Sequence, residues 1–144
     1  MSGPGKLFSG LRIAASAMSA ERVRIDTIAK NIANARTTRT PGSSEPYRRQ
    51  VVHFAPLLER ARNGRVEVAG VRVTGVAPDL STDFESIHDP SHPDADANGT
   101  VFYPNVNTMK EMADLITAVR AYEANIGVQE NFVQMARRAL RLAE

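Results

Sequence analysis

Two lines of mostly apolar positions run along the last stretch of the chain, residues 108–144, and each repeats every seven residues. Alternating steps of three and four residues predict a helix. Because neighbouring residues lie about 100° apart around a helix axis, the two lines form one broad apolar face, which a single partner helix cannot cover. The first line contains Met112, Leu115, Val119, Tyr122, Ile126, Gln129, Val133, Ala136, Leu140 and Ala143, and the second contains Ala118, Ala121, Asn125, Val128, Phe132, Met135, Ala139 and Leu142.

A similar seven-residue pattern covers residues 6–35, near the start of the chain. It is interrupted only by Glu21, and it predicts a second amphipathic helix. Asn34 is the expected helix end, because asparagine tolerates the left-handed conformation that is common there. We expect the two terminal helices to pair as a coiled coil. The pattern contains Leu11, Ala14, Met18, Glu21, Ile25, Ile28, Ile32 and Ala35.

The middle of the chain has the composition of turns and strands. Residues 37–46 are rich in Thr, Ser, Pro and Gly and predict a linker. Alternation of apolar residues changes phase at Ala69 and Gly70, which predicts a β-bulge. Thr108 and Glu111 fit a capping box at the start of the last helix. Strands are predicted over residues 47–54, 65–76, 82–87 and 100–103.

The predicted fold is therefore mainly α with a β insertion. Long N- and C-terminal helices pair, and a β-rich, hairpin-like segment lies between them. Residues 1–36 and 105–144 would form a discontinuous helical domain, and residues 37–104 would form the insertion with its linker loops.

Composition limits the possible functions. The 144 residues and the hydrophobic content of 42% suit one domain with a real core. Cysteine is absent, so the sequence offers no disulfide and no thiolate metal site. The net charge of +2 is far from that of a nucleic-acid-binding tail. No apolar run approaches the roughly 18 residues of a membrane span, and Ser9, Gly10 and Arg12 interrupt the apolar stretch that a cleaved signal peptide would need.

Two acidic or histidine-containing patterns could suggest a metal site. Residues 94–99 copy the start of an EF-hand calcium loop, but Asn105 stands where the motif requires a bidentate glutamate. His88 and His92 have a zinc spacing only on a helix, which Pro90 between them disfavours. We therefore expect a turn and a solvated loop. No combination of base, nucleophile and orienting residue is present, so we predict no catalytic residue, no metal and no cofactor.

A basic cluster surrounds the predicted linker and consists of Arg36, Arg39, Arg48 and Arg49. It leaves open a coiled-coil protein that binds nucleic acid. Such binding usually interleaves basic residues with aromatic ones, and only Tyr47 is near. We expect a solvated or protein-contacting surface instead, with no nucleic-acid partner.

Several motifs resemble the bacterial flagellar axial proteins, the family of rod and hook subunits. Residues 15–22 (ASAMSAER) leading to 31–37 (NIANART) are similar to the N-terminal signature of that family. The stretch 103–107 (YPNVN), followed by 120–125 (RAYEAN), resembles its proximal-rod members more particularly. Residues 46–49 and 92–99 match as well, so the resemblance spans nearly the whole chain. Glu21 is one departure, because the family commonly carries glutamine there.

The resemblance implies a structural subunit of the proximal rod, the drive shaft that crosses the periplasm. Such a subunit would polymerise around the axial export channel and transmit torque. Members are exported by the flagellar type III apparatus without a cleaved signal peptide. Expected partners are further copies of the chain, other proximal-rod subunits, the adjoining distal rod and an adaptor at the membrane ring or export gate. The alternative within the family is another rod or hook subunit.

The assembly interface is expected along both terminal helices, where apolar side chains exceed what one molecule can cover. The expected interface residues are Leu11, Met18, Ile25, Ile28, Asn31, Ile32, Asn34, Met112, Leu115, Val119, Tyr122, Asn125, Ile126, Val128, Phe132, Val133, Met135 and Leu140.

Overall fold

The chain begins and ends with a long helix, and four strands lie between the two helices in sequence. The computed structural model describes residues 4–60 and 64–141. Helix α1 spans Pro4–Ala33 and helix α2 spans Thr108–Arg141. Between them lie β1 (Gln50–Arg60), β2 (Val66–Pro78), β3 (Glu85–His88) and β4 (Thr100–Tyr103). This layout confirms the predicted helix, β insertion and helix, whereas coiled-coil pairing stays a prediction.

The strands form two separate two-stranded sheets, β1 with β2 and β3 with β4. The chain divides into two compact units, each built from several segments. The first unit contains Met1–Ile25, His53–Gly75 and Thr117–Glu144, and the second contains Asp26–Val52 and Val76–Ile116. Both helices and the first sheet therefore contribute residues to each unit.

In the first unit, a glycine lets β2 come close to α1. The Val71 amide donates to Ser16 Oγ at 3.1 Å, and Gly70 has a φ of 153°. A Cβ at Gly70 would lie against Ser16 Oγ and 3.1 Å from Ser16 Cβ, so no larger residue fits without a shift. Ala69 and Gly70 are buried although they are neighbours, which accounts for the change of phase read from the sequence.

A second close approach in the first unit involves Gly10 on α1. A Cβ there would lie 2.5 Å from Phe132 Cζ on α2, so the ring lies directly against the glycine. Ala14, Ala20 and Ala118 are buried as well. Small side chains at these positions allow helix backbones to approach closely.

In the second unit, β3 and β4 pair antiparallel, with Glu85 opposite Tyr103 and His88 opposite Thr100. Val101 on β4 is completely buried. The loop between the strands returns through Gly99, whose φ of 74° is one that residues with a Cβ rarely adopt. His88 thus belongs to β3, whereas the sequence placed it in the loop.

Two strand predictions began too early. Residues 47–49 precede β1, because the Tyr47 amide donates to Thr37 O at 2.9 Å and the Arg49 amide donates to the Asn105 side chain at 2.8 Å. Residues 82–84 precede β3, because Asp79 holds a turn by accepting hydrogen bonds from Ser81. Side chains that bond nearby backbone groups compete with strand pairing.

The helix ends also differ from their predictions. Helix α1 ends at Ala33, and Asn34 has no positive φ; its amide and its side-chain Nδ2 both donate to Lys30 O. The capping box at α2 is wrong. Asn107 caps the helix by accepting a hydrogen bond from the Lys110 amide at 3.0 Å. The Glu111 side chain turns inward to other partners.

Candidate functional site

Helix α2 has exposed apolar residues on either side of the buried Ala118. In the first unit, Ala118 has no exposed surface, whereas Val128 is 43% exposed and Met135 is 48% exposed. Val119 is also exposed. Val119 and Val128 are nine residues apart, so they point to opposite sides of the helix, about 180° from each other. The packed middle of the face therefore leaves an apolar flank on both sides.

The expected interface residues fall into three groups by exposure in the single chain. Ile28 and Asn31 are buried. Those that are half-buried are Leu11, Met18, Ile25, Ile32, Asn34, Leu115, Tyr122, Asn125, Ile126 and Phe132. Those that are exposed are Met112, Val119, Val128, Val133, Met135 and Leu140.

Glu21, which interrupts the apolar pattern of α1, is half-buried. Its Oε2 is buried without a hydrogen-bond partner, and Arg24 Nη1 lies 3.8 Å away. The separation is too long for a hydrogen bond. Glu21 therefore places a polar group on the partly buried side of α1.

A buried polar network occupies the centre of the second unit. Glu111, on the first turns of α2, has no exposed surface. Its Oε1 accepts a hydrogen bond from Arg49 Nε at 2.7 Å, and its Oε2 accepts one from Asn31 Nδ2 at 3.0 Å. Arg49 Nη1 also lies 3.7 Å from Asp79 Oδ2. The guanidinium is thus shared between two carboxylates, which compensates its partial burial.

Asn31, near the end of α1, uses its whole side chain within this network. Its Nδ2 donates to Gln50 O at 2.9 Å as well as to Glu111. Its Oδ1 accepts hydrogen bonds from the Gln50 amide and from Tyr47 Oη, both at 2.9 Å. Burial raises the pKa of the Tyr47 hydroxyl, and the nearby Glu111 carboxylate raises it further. An asparagine amide can make about four hydrogen bonds, and Asn31 makes all of them.

Asn105 plays a similar part on the other side of Arg49. Its Oδ1 accepts from the Arg49 amide, and its Nδ2 donates to Asp79 O at 3.1 Å and to Thr82 O at 3.0 Å. Hydrogen bonds from the Ser81 side chain and amide lower the pKa of Asp79 to about 2. The network therefore joins the end of α1, the start of β1, the turn at residues 79–82 and the start of α2.

These residues lie in separate stretches of the sequence, and no local pattern shows that they meet. Asn31 was expected at the interface, and Glu111 was assigned to the cap. One signal was available for Glu111, because it lies seven residues before Ala118 and so extends the second line of α2. A carboxylate on a buried line requires a buried partner, and the sequence contains several arginines that could supply one.

Most of the basic cluster is engaged within the chain. Arg49 pairs with Glu111, and Arg39 pairs with Asp94 at 3.2 Å. The Arg48 guanidinium lies 4.1 Å from the centre of the Phe84 ring. These contacts account for three of the four arginines, which weakens the nucleic-acid alternative.

The EF-hand-like loop holds itself together. Thr38 Oγ1 donates to Asp94 Oδ2 at 2.7 Å, and Asp96 Oδ1 accepts hydrogen bonds from the Asn98 and Thr100 amides, both at 2.8 Å. Among the described residues, no group of three or more His, Cys, Asp or Glu could hold a metal ion. Within the residues that the structure describes, neither helix is long and apolar enough to cross a membrane.

Comparison with known proteins identifies the family. A model described as "Flagella basal body rod protein" matches residues 11–39, and one described as "Flagellar basal body rod FlgEFG protein C-terminal" matches residues 97–142. A FlgC rod protein of Bacillus subtilis is 38% identical over 95% of this chain and 98% of its own length. Those of Borreliella burgdorferi and Aquifex aeolicus are 40% and 41% identical, covering 96% and 83% of this chain and 98% and 84% of their own lengths.

This chain belongs to the FlgC family of flagellar basal-body rod proteins. The finding confirms the resemblance and the predicted role as a structural rod subunit of the basal body. All three relatives are FlgC proteins, which favours FlgC over another rod or hook subunit. The two matched stretches contain Asn31 and Glu111 respectively, so the buried network joins both family segments in this FlgC chain.

Proposed function

We propose that this FlgC chain polymerises through its terminal helices in the proximal rod, around the axial export channel, and transmits torque. The observation that carries the proposal is the pair of exposed apolar flanks on α2, one containing Val119 and the other Val128. Burial of apolar surface is worth about 25 cal/mol per Å², so neighbouring helices on both sides would be stabilising. The expected interface residues keep this role, with the exposed ones making the direct contacts.

Contacts within each unit support helix pairing. In the first unit, Gly10 of α1 lies against Phe132 of α2. In the second unit, Asn31 of α1 bonds Glu111 of α2. The later residue of α1 contacts the earlier residue of α2, which is the order that an antiparallel coiled coil requires. We infer that residues 1–36 and 105–144 act as the axial core and that residues 37–104 make lateral contacts.

The buried network would serve torque transmission by fixing the junction between helices and insertion. Fully satisfied buried polar groups specify one arrangement, because any alternative leaves a polar group unpaired. Asn31 and Glu111 therefore act on the interface indirectly, since both are buried already. Their role would be to position the exposed helix faces.

The resemblance supports further proposals about place and partners. The subunit would lie in the periplasmic part of the basal body and be exported by the type III apparatus without a cleaved signal peptide. Its neighbours would be other copies of itself, other proximal-rod subunits, the adjoining distal rod, and an adaptor at the membrane ring or export gate.

Val128→Asp tests the assembly role of the exposed flank. The charge would be buried against a neighbour at a cost of several kcal/mol, so rod incorporation should fail while export continues. The measurement is the amount of the chain in purified basal bodies and in the secreted fraction, together with swimming motility. Gln134→Asp places the same charge on the polar side of α2 and should be incorporated normally. Normal rods and motility with Val128→Asp would contradict the proposal.

A further inference from the structure

A groove of about 810 Å³ opens on the surface of the second unit. Its apolar lining includes Ile32 near the end of α1, Ile87 on β3 and Val106 just before α2. Ile87 is 44% exposed. A concave surface that combines these apolar side chains with polar groups can receive one face of an amphipathic helix.

Two charged residues also line the groove, Glu85 and Arg36. Within residues 4–60 and 64–141, neither of them forms an ion pair. Other charged side chains of the same unit are engaged internally, as Arg39 is with Asp94 and Arg49 is with Glu111. The groove therefore offers one basic and one acidic side chain, and a basic partner could pair with Glu85.

The two units carry opposite net charges. The first unit contains 12 Lys and Arg against 6 Asp and Glu, a net charge of +6. The second contains 6 Lys and Arg against 10 Asp and Glu, a net charge of −4. Complementary charge steers association and sets its register. Contact between unlike units of two copies is thus favoured over contact between like units.

The last turns of α2, in the first unit, have the matching chemistry. Val133, Arg137, Leu140 and Arg141 are spaced so that they share one side of the helix. All four side chains are exposed, and Leu140 is 70% exposed. This side combines apolar surface with positive charge.

We propose that the end of α2 of one copy docks into the groove of a second copy. Leu140 and Val133 would pack on the apolar lining, and Arg137 would pair with Glu85. Because the two contacting surfaces differ, the contact is heterologous and can repeat from copy to copy, as an open assembly requires. The proposal rests on the proposed self-assembly and adds the partner surface for one flank of α2.

Disulfide cross-linking in assembled rods tests the contact directly, since the chain has no native cysteine. Cells would co-express one copy with Ile87→Cys and one with Leu140→Cys. Basal bodies would then be isolated and oxidised, and the peptide joining positions 87 and 140 would be quantified by mass spectrometry. The control pair replaces Ile87→Cys with Leu80→Cys, an exposed position of the same unit outside the groove lining.

The 87–140 disulfide should exceed the 80–140 disulfide by roughly tenfold or more, because neighbouring sites have a high effective concentration. Equal yields would overturn the proposal. Protection of Cys at position 87 without an 87–140 disulfide would do so too, since another rod component would then fill the groove. Glu85→Cys with Arg137→Cys gives the same test at exposed positions if the first pair is not incorporated.

A charge exchange provides an independent measurement. Glu85→Arg and Arg137→Glu should each lower rod incorporation, and the two changes together should restore it. A combined variant no better than either single one would overturn the pairing. The outcome for Val128→Asp separates the two proposals, because that residue lies on the other flank. If Val128→Asp blocks incorporation but positions 87 and 140 do not cross-link, only the docking proposal fails.

Discussion

Replacing Glu111 with glutamine keeps the shape of the side chain and removes a buried negative charge. In the native chain that carboxylate accepts hydrogen bonds from Arg49 Nε at 2.7 Å and from Asn31 Nδ2 at 3.0 Å. Glutamine has one oxygen and one NH₂ group. Its oxygen can accept a hydrogen bond from one of the two donors, and its NH₂ group then faces the other donor. The variant leaves either Arg49 or Asn31 unsatisfied.

The expected cost follows from the burial of the pair. Removing one partner of a buried ion pair costs about 3–5 kcal/mol. The Arg49 side chain is 21% exposed and also faces Asp79 at 3.7 Å, so part of its charge stays compensated. One hydrogen bond to Arg49 can also remain. We therefore expect a loss of about 2 kcal/mol, the usual range for one hydrogen bond to a charged group.

Native-state hydrogen exchange can measure this loss where it occurs. The Gln50 amide donates to Asn31 Oδ1 at 2.9 Å, so it reports opening of the network. With Glu111→Gln its exchange should be roughly 30-fold faster, since 1.4 kcal/mol corresponds to a factor of ten. Glu123→Gln makes the same chemical change at an exposed position of α2 and should leave the rate almost unchanged. An increase below about twofold with Glu111→Gln would refute the reasoning, because it would fall within the usual effect of surface substitutions.

Three further predictions concern stability in the second unit and the packing of β2. Gly70→Ala should cost about 1–3 kcal/mol in urea unfolding, because the Cβ meets Ser16 at a strained φ; Gly75→Ala, with no atom within 4 Å, is the control and should be nearly neutral. Since the pKa of Asp79 is lowered to about 2 from 3.8, its carboxylate stabilises the fold fully above about pH 4 and loses that contribution as the pH falls towards 2. The stability difference between the native chain and Asp79→Asn should therefore shrink over that interval, and a constant difference would contradict the assignment. Asn107→Ala should lower stability by about 0.5–2 kcal/mol through loss of the cap on α2. Thr108→Ala should lower stability by less. A larger loss with Thr108→Ala than with Asn107→Ala would favour the capping box that the sequence predicts.

The helices were predictable because their signal repeats. The seven-residue patterns gave α1 within about two residues at each end and α2 at its observed start, as expected for long periodic segments. Residues 142–144, where the pattern of α2 continues, lie outside the described residues. The short strand β4 was also predicted at its observed bounds. β1 was placed too early because the Arg49 amide has a partner distant in the chain, which local alternation cannot reveal. β3 was placed too early because Asp79 and Ser81 form a turn just before it.

The candidate site was only partly accessible from sequence. Val128 and Met135 lie on the broad apolar face that the sequence predicts for α2, and both are exposed. Their role in assembly stays a prediction. The buried polar network could not be predicted, because the sequence pattern does not show which residue a polar side chain will bond. Asn31 and Glu111 are 80 residues apart in the chain. Their hydrogen bond exists only after α1 and α2 have folded against each other.

The sequence by itself determined the class of elements and the family, since periodicity and local motifs are properties of short stretches of chain. Only the tertiary structure decided which polar groups are internal and which apolar groups remain outside. The physical reason is that burial is a property of the whole packing arrangement. Glu111 and Met112 are neighbours in the chain, yet folding gives the carboxylate complete burial and leaves the methionine 47% exposed.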